Sequence, residues 1–254
     1  MNNNFDLHAY RRVLVVAAHP DDPEFGLGAT VAKLTDAGVE VGYVICSDGS
    51  QGGEDPTLPD EELVAIRARE QRAAAAILGV KEVRFLGFPD GGLAVDLELR
   101  KAIVAEIRRF RPDLVITQSP VRRLSGRLGI YHPDHQVTGE ATLQAVYPDA
   151  RNPRAFRELL EQDLKPHIVN EIWITDPEMG EHFVEVSAAM VERKIEAILA
   201  HQSQFGKPHQ SAERPLDWMW ELMQGIDQRG GVSYAESFAR MVDARVPERA
   251  AVGS

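Results

Sequence analysis

Cysteine is almost absent: Cys46 is the only one among 254 residues. A lone thiol excludes an internal disulfide framework and a closed, thiolate-rich structural zinc site. It fits a reducing compartment and a small buried hydrophobe with no catalytic role. Long apolar runs are missing as well. The one near the N-terminus, residues 13–18, is too short for a membrane span or a signal-peptide core and runs straight into His-Pro-Asp-Asp. The expectation is a cytoplasmic protein without integral membrane association. Positive charge is in deficit, 28 Lys and Arg against 39 Asp and Glu for a net −11, which repels phosphate backbones and argues against nucleic acid as a partner. Internal repeats, low-complexity tracts and clear linkers are also lacking, so residues 1–254 read as a single domain.

What is present alternates. Residues 13–18 form a β-branched, apolar run suited to a central parallel strand, and 28–37 read as a helix stopped by Gly38. A second strand at 39–46 leads to a loop and a helix over 60–78 that opens on Asp60-Glu61-Glu62. A strand at 83–86, a helix over 97–110 and a strand at 114–117 follow. Strands alternating with helices at this spacing predict right-handed crossovers and an α/β fold: three layers, Rossmann-like, with a mostly parallel, doubly wound sheet. Beyond the fourth strand, 134–146 reads as a helix, "EIWIT" and "HFVEVS" as strands, and 188–201 as a strongly patterned helix. The remainder, 205–254, reads as loops with one or two short helices, a flap or an oligomerisation tail in which "DWMW" serves a homo-oligomer contact.

In such sheets the binding crevice lies beyond the carboxyl ends of the strands. The residues there are His19-Pro20-Asp21-Asp22 after the first strand, Asp48 after the second, Asp90 after the third, and "QSP" leading to "YHPDH" after the fourth. His132 and His135, three apart at a helix start, put two imidazoles on one side. Two histidines and an aspartate leave the fourth tetrahedral position open, as in a catalytic zinc site. Taken singly, Asp21 or Asp22 is an ordinary helix cap and His-Pro-Asp-His an ordinary helix-start turn. Their convergence on one rim from over a hundred residues apart favours the metal reading.

These segments resemble the LmbE-like, or PIG-L-type, metal-dependent N-acetylglucosamine deacetylases. The resemblance rests on "AHPDDPEFG", on "HPDH", on Arg67-Ala-Arg-Glu70 in a helix closing in "LGV", on "FPDGG", and on the segment from Lys194 through His201 to Gln204. It implies a Rossmann-like hydrolase in which His19, Asp22 and His135 hold Zn²⁺, with Fe²⁺ also suited to a His and carboxylate set. It further implies Asp21 as general base and His132 as electrophile. Arg67 and Asp90 match positions that hold sugar hydroxyls, with Glu70 holding the arginine. The same residues also read as a surface i,i+3 pair and a plain turn. The expected partner is a small N-acetylated amino-sugar conjugate, its aglycone undefined. In this chain Pro23 intervenes before Glu24, where the commonest form of the motif ends Asp-Asp-Glu. A thiol-conjugate amidase would use the same ligand set. A nucleotide-binding Rossmann protein would use Gly26, Gly28 and Asp48, but Val31 stands where the third glycine belongs and two aspartates would face a pyrophosphate.

Overall fold

The computed structural model describes residues 9–53, 55–122, 131–176, 180–205, 217–230 and 233–245. Five strands run parallel: β1 (Arg12–Ala17), β2 (Glu40–Ser47), β3 (Glu82–Phe88), β4 (Leu114–Thr117) and β5 (Glu171–Thr175). Two more, β6 (His182–Glu185) and β7 (Ala235–Val242), extend the sheet, with β7 antiparallel to both β5 and β6. The spatial order is β3-β2-β1-β4-β5-β7-β6. Chain direction across the sheet reverses between β1 and β4, the switch point at which such folds open a crevice.

Both faces of the sheet are covered, and β1 shows why its sequence is continuously apolar. Val13 and Val15 join one core with Tyr43, Leu114 and Trp173, while Leu14 and Val16 join another with Val44, Cys46 and Val115. The first core is closed by α1 (Asp22–Asp36), α2 (Asp60–Ile77) and α6 (Ala188–Leu199), and the second by α3 (Leu97–Phe110) and α4 (Pro133–Gln144). A π-helical turn (Ala145–Asp149) after α4, the short helices α5 (Glu158–Glu161) and α7 (Gln202–Phe205) and the longer α8 (Asp217–Gly230) complete the described elements. This is the expected three-layer Rossmann-like architecture. No helix among the described residues is long and apolar enough to cross a membrane.

Local chemistry sets the boundaries. α3 starts where expected because Asp96 accepts from the N–H groups of Glu98 and Leu99, and it ends at Arg111, in the left-handed region at φ 55, before Pro112. α1 differs from expectation: it begins at Asp22, not at residue 28, because Pro23 occupies the first turn, where its missing N–H costs nothing. Gly26 and Gly28 therefore lie within a helix and not in a phosphate loop. Gly28 is small for packing, since a Cβ there would come within 3.0 Å of Lys194 Cγ on α6.

α1 bends at Leu27, whose φ of −154° and ψ of 21° break the helical pattern. The break frees N–H groups downstream, and a carboxylate from the distant end of the chain takes them: Glu236 on β7 accepts from Thr30 N at 2.7 Å and Ala29 N at 3.3 Å. Lys194 Nζ, 2.6 Å away, neutralises Glu236, and both side chains are buried. The tail departs from its reading as loops and short helices, because residues 235–242 form a strand inside the sheet.

Candidate active site

β1 delivers His19, Pro20, Asp21 and Asp22 to the crevice, and the loop leading from β4 is tied alongside by Gln118, whose side-chain oxygen accepts from Ala18 N at 2.9 Å. α4 brings His132 as its N-cap and His135 in its first turn. The loop after β3 places Asp90 on the same rim, with its N–H donating to Asp48 Oδ1 at 3.2 Å.

The imidazoles and carboxylates converge closely. Asp22 bridges two histidines, with Oδ2 3.2 Å from His19 Nδ1 and Oδ1 3.0 Å from His135 Nε2. Ring nitrogens of His19, His132 and His135 lie within 4.8 Å of one another. On its far side His19 Nε2 is 3.1 Å from Asp90 Oδ1 and 3.3 Å from Asp134 Oδ2, the carboxylate backing that orients a ligating imidazole. Two groups of donors are close enough to share a divalent cation, His19 with His132 and His135, and His19 with Asp90 and Asp134, the atoms of each lying within 4.8 Å of one another. Imidazole nitrogens and carboxylate oxygens suit such an ion.

Burial opposes a charge on His19, but the hydrogen bonds and fields of Asp22 and Asp90 outweigh it and lift its pKa to about 10. This raised value stabilises the metal-free fold fully below pH 6.5, and the contribution is lost as pH rises through 10. The urea midpoint of metal-stripped protein is thus expected to fall between those pH values, and His19→Gln is expected to flatten the fall; equal slopes in the two proteins would contradict it.

Asp21 and Asp22 are neighbours that face different surroundings. Burial raises both, but His135 and His19 hold Asp22 well below the usual carboxylate range. Asp21 remains raised to about 7 by burial and by the charge of Asp22, with Arg67 and His201 opposing. Its backbone is in the left-handed region at φ 96, and Oδ2 lies 3.3 Å from Arg67 Nη2. His132 accepts from Asp134 N through Nδ1 at 3.2 Å, which puts the ring proton on Nε2. Burial and then the fields of His19 and His135 lower its pKa, favouring the neutral ring.

The residues matched to sugar-binding positions are engaged with the protein itself. Arg67 is buried, donates to Gly49 O at 2.8 Å and Pro20 O at 2.7 Å, and is no surface pair. Asp90 accepts from Gln51 N at 3.1 Å besides meeting His19. Glu70 does not hold Arg67. Its carboxylate accepts from Ser203 N at 2.8 Å and Ser203 Oγ at 2.6 Å, because α7 packs on that side of α2. His201 is fully buried, 3.3 Å from Glu24 Oε2; His8 and His209 lie outside the described residues.

Two participants went unassigned from sequence. Asp134 stood inside "HPDH" and its carboxylate also accepts from Gly91 N at 2.8 Å and Leu93 N at 3.3 Å, fastening the Asp90 loop to α4. Gln71, four residues after Arg67, carried no motif signal. Cys46 is buried, and burial pushes its thiol up to about 12.

A doubly wound sheet whose switch point gathers histidines and aspartates defines a Rossmann-like protein with a candidate metal centre. The sequence profile of PIG-L, GlcNAc-PI de-N-acetylase, matches residues 14–146, and the chain belongs to the PIG-L, or LmbE-like, family. It is 37% identical over 214 residues, 84% of this chain and 74% of the relative, to diacetylchitobiose deacetylase of Thermococcus kodakarensis. It is 33% identical to a probable N-acetyl-alpha-D-glucosaminyl L-malate deacetylase 2 of Bacillus anthracis, over 77% of this chain and 82% of that one. Its fold matches N,N'-diacetylchitobiose deacetylase from Pyrococcus horikoshii, solved with its inhibitor MPG, at a TM-score of 0.83 and 31% identity, covering 94% and 88% of the two chains.

Proposed function

We propose that this chain is a zinc-dependent hydrolase that removes the acetyl group from an N-acetylglucosamine-type conjugate, with His19, Asp22 and His135 holding the metal. The observation that carries this reading is the division between adjacent aspartates: Asp22 lies between two imidazoles, while Asp21 turns to Arg67 with a pKa near neutrality. When bound, the ion supplies a Lewis acid that polarises the amide carbonyl and acidifies water.

Asp21 takes the proton from the attacking water as its oxygen bonds to the acetyl carbon, and its pKa of about 7 suits a base at neutral pH. His132 offers its Nε2 proton to the oxygen on which negative charge develops. When the carbon–nitrogen bond breaks, the proton held by Asp21 goes to the departing amine, giving acetate and the free amino sugar. Arg67 keeps Asp21 in place from the side. His132→Ala is expected to lower kcat roughly 100-fold with KM little changed, the usual cost of one oxyanion donor; a change confined to KM would remove His132 from this role.

The test is acetate release by metal-stripped protein, with zinc or ferrous iron restored, from N,N'-diacetylchitobiose, N-acetylglucosaminyl malate and an N-acetylglucosaminyl inositol. Metal-dependent release supports the reading and ranks the aglycones, with the chitobiose expected first because the 37% identical relative is named for it. No release from any of the three, with one metal bound per chain, overturns it in favour of another amide, such as that of a thiol conjugate.

A further inference from the structure

One helix grips both polar ends of the peptide that precedes the proposed base. Arg67 Nη2 donates to Pro20 O at 2.7 Å, and Gln71 Oε1 accepts from Asp21 N at 2.8 Å. These two atoms belong to a single amide plane, which is rigid. Spacing of four along α2 puts both side chains on one helix face, and both are buried, Gln71 at 0% exposure. Gln71 has its own orientation fixed, since its Nε2 donates to Glu24 Oε1 at 2.9 Å and so leaves Oε1 for Asp21. An amide side chain offers a donor and an acceptor on the same carbon without having to bind a proton, which is what a site between a carboxylate and a peptide N–H requires.

The orientation of that plane relative to the Asp21 Cα is the φ of 96. A residue with a side chain adopts such a value at a cost of order 1–3 kcal/mol unless its surroundings impose it. Here the imposed rotation sends the Asp21 carboxylate to Arg67 and away from the histidines that Asp22 meets.

We propose that Gln71 is a positioning residue for deacetylation: with Arg67 it clamps the Pro20–Asp21 peptide and thereby aims the base, while Glu24 aims Gln71. The inference rests on the reading of Asp21 as general base. Gln71→Met preserves bulk and removes both hydrogen bonds. It is expected to lower kcat roughly 10- to 100-fold, in line with the cost of misplacing a reacting group by about 1 Å. KM is expected to stay within about threefold and metal content to stay unchanged. Gln71→Asn, one carbon too short for the bridge, is the second variant and is expected to lose kcat to the same order should the Met variant fail to fold. In an Asp21→Asn background, Gln71→Met should produce no further loss, because the two residues act as a unit.

An independent readout needs no turnover: in metal-free, 15N-labelled protein the Asp21 amide should exchange at least about tenfold faster in the Gln71 variants than in wild type. Wild-type kcat and unchanged Asp21 exchange in a folded Gln71 variant would overturn the clamp. So would an equal further loss in the Asp21→Asn background. Failure of the wild-type protein to release acetate at all would instead overturn the deacetylase reading, and the exchange experiment would still decide the clamp.

Discussion

Asp21→Asn is expected to cut turnover by about three orders of magnitude, roughly 4 kcal/mol of barrier, while one metal ion per chain is retained. Asparagine has the same shape and still presents an oxygen to Arg67 Nη2, 3.3 Å from the native carboxylate, so the loop keeps its reason to adopt the left-handed turn. What it cannot do is take a proton from water. Metal affinity should survive because Asp21 has no contact with His19 or His135 comparable to that of Asp22, which sits 3.2 and 3.0 Å from their nitrogens. Asp22→Asn one residue on is expected to show the converse, a loss of metal with a secondary loss of turnover. Parallel kinetics and metal analysis on the two variants decide the matter. Equal metal loss in both, or appreciable turnover in Asp21→Asn, would overturn the division of labour between the aspartates.

Glu236→Ala is expected to destabilise the fold by about 3–5 kcal/mol, the cost of leaving one member of a buried ion pair alone. Three groups lose their acceptor at once: Lys194 Nζ, and the backbone N–H groups of Ala29 and Thr30 below the bend in α1. None of them can reach water, since Lys194 is 2% exposed and Thr30 0%. For a chain of this size the shift in melting temperature should be on the order of 10 °C. The double variant Lys194→Met, Glu236→Gln removes the charge and keeps an acceptor for the helix, so it should recover most of the loss. Thermal and urea unfolding measure both effects. A single variant within about 1 kcal/mol of wild type would show that the pair is dispensable. Because α1 carries Asp22 in its first turn, metal affinity is expected to weaken along with stability.

Much of the fold was legible because the central strands β1, β2 and β4 are nearly continuous apolar runs, whereas β3 carries Arg84 in its middle, and α3 was placed at 97–110 as the structure has it. The site was legible for a related reason: parallel strands bring all their carboxyl ends to one rim, so His19, Asp21, Asp22, Asp90, His132 and His135 had to meet although the chain separates them widely. α1 was misjudged because a proline and two glycines look like a loop, whereas Pro23 fits a first turn and Gly28 answers to Lys194 on another helix. β7 was missed because its inner face carries Glu236, a residue that reads as solvent-facing until its lysine is found 42 positions away. Arg67 and Glu70 matched a motif together yet serve different neighbours, the Pro20–Asp21 peptide and Ser203. Which face of α2 meets the active-site loop is a property of packing, and periodicity alone did not reveal it.

The order of strands in the sheet also bears on how the protein is made. β6 leaves the ribosome well before β7, yet among the described strands β7 is the one with which β6 pairs. Until α6, α7, α8 and then β7 have been synthesised, β6 has no partner among the described strands and the edge of β5 that β7 covers is open, a template for pairing with another nascent chain. α1 waits on the same event, because the acceptor for its bent segment arrives on β7. The His-Pro-Asp-Asp segment is therefore synthesised early, whereas the helix that begins at its last aspartate gains the acceptor for its bent segment only when β7 arrives.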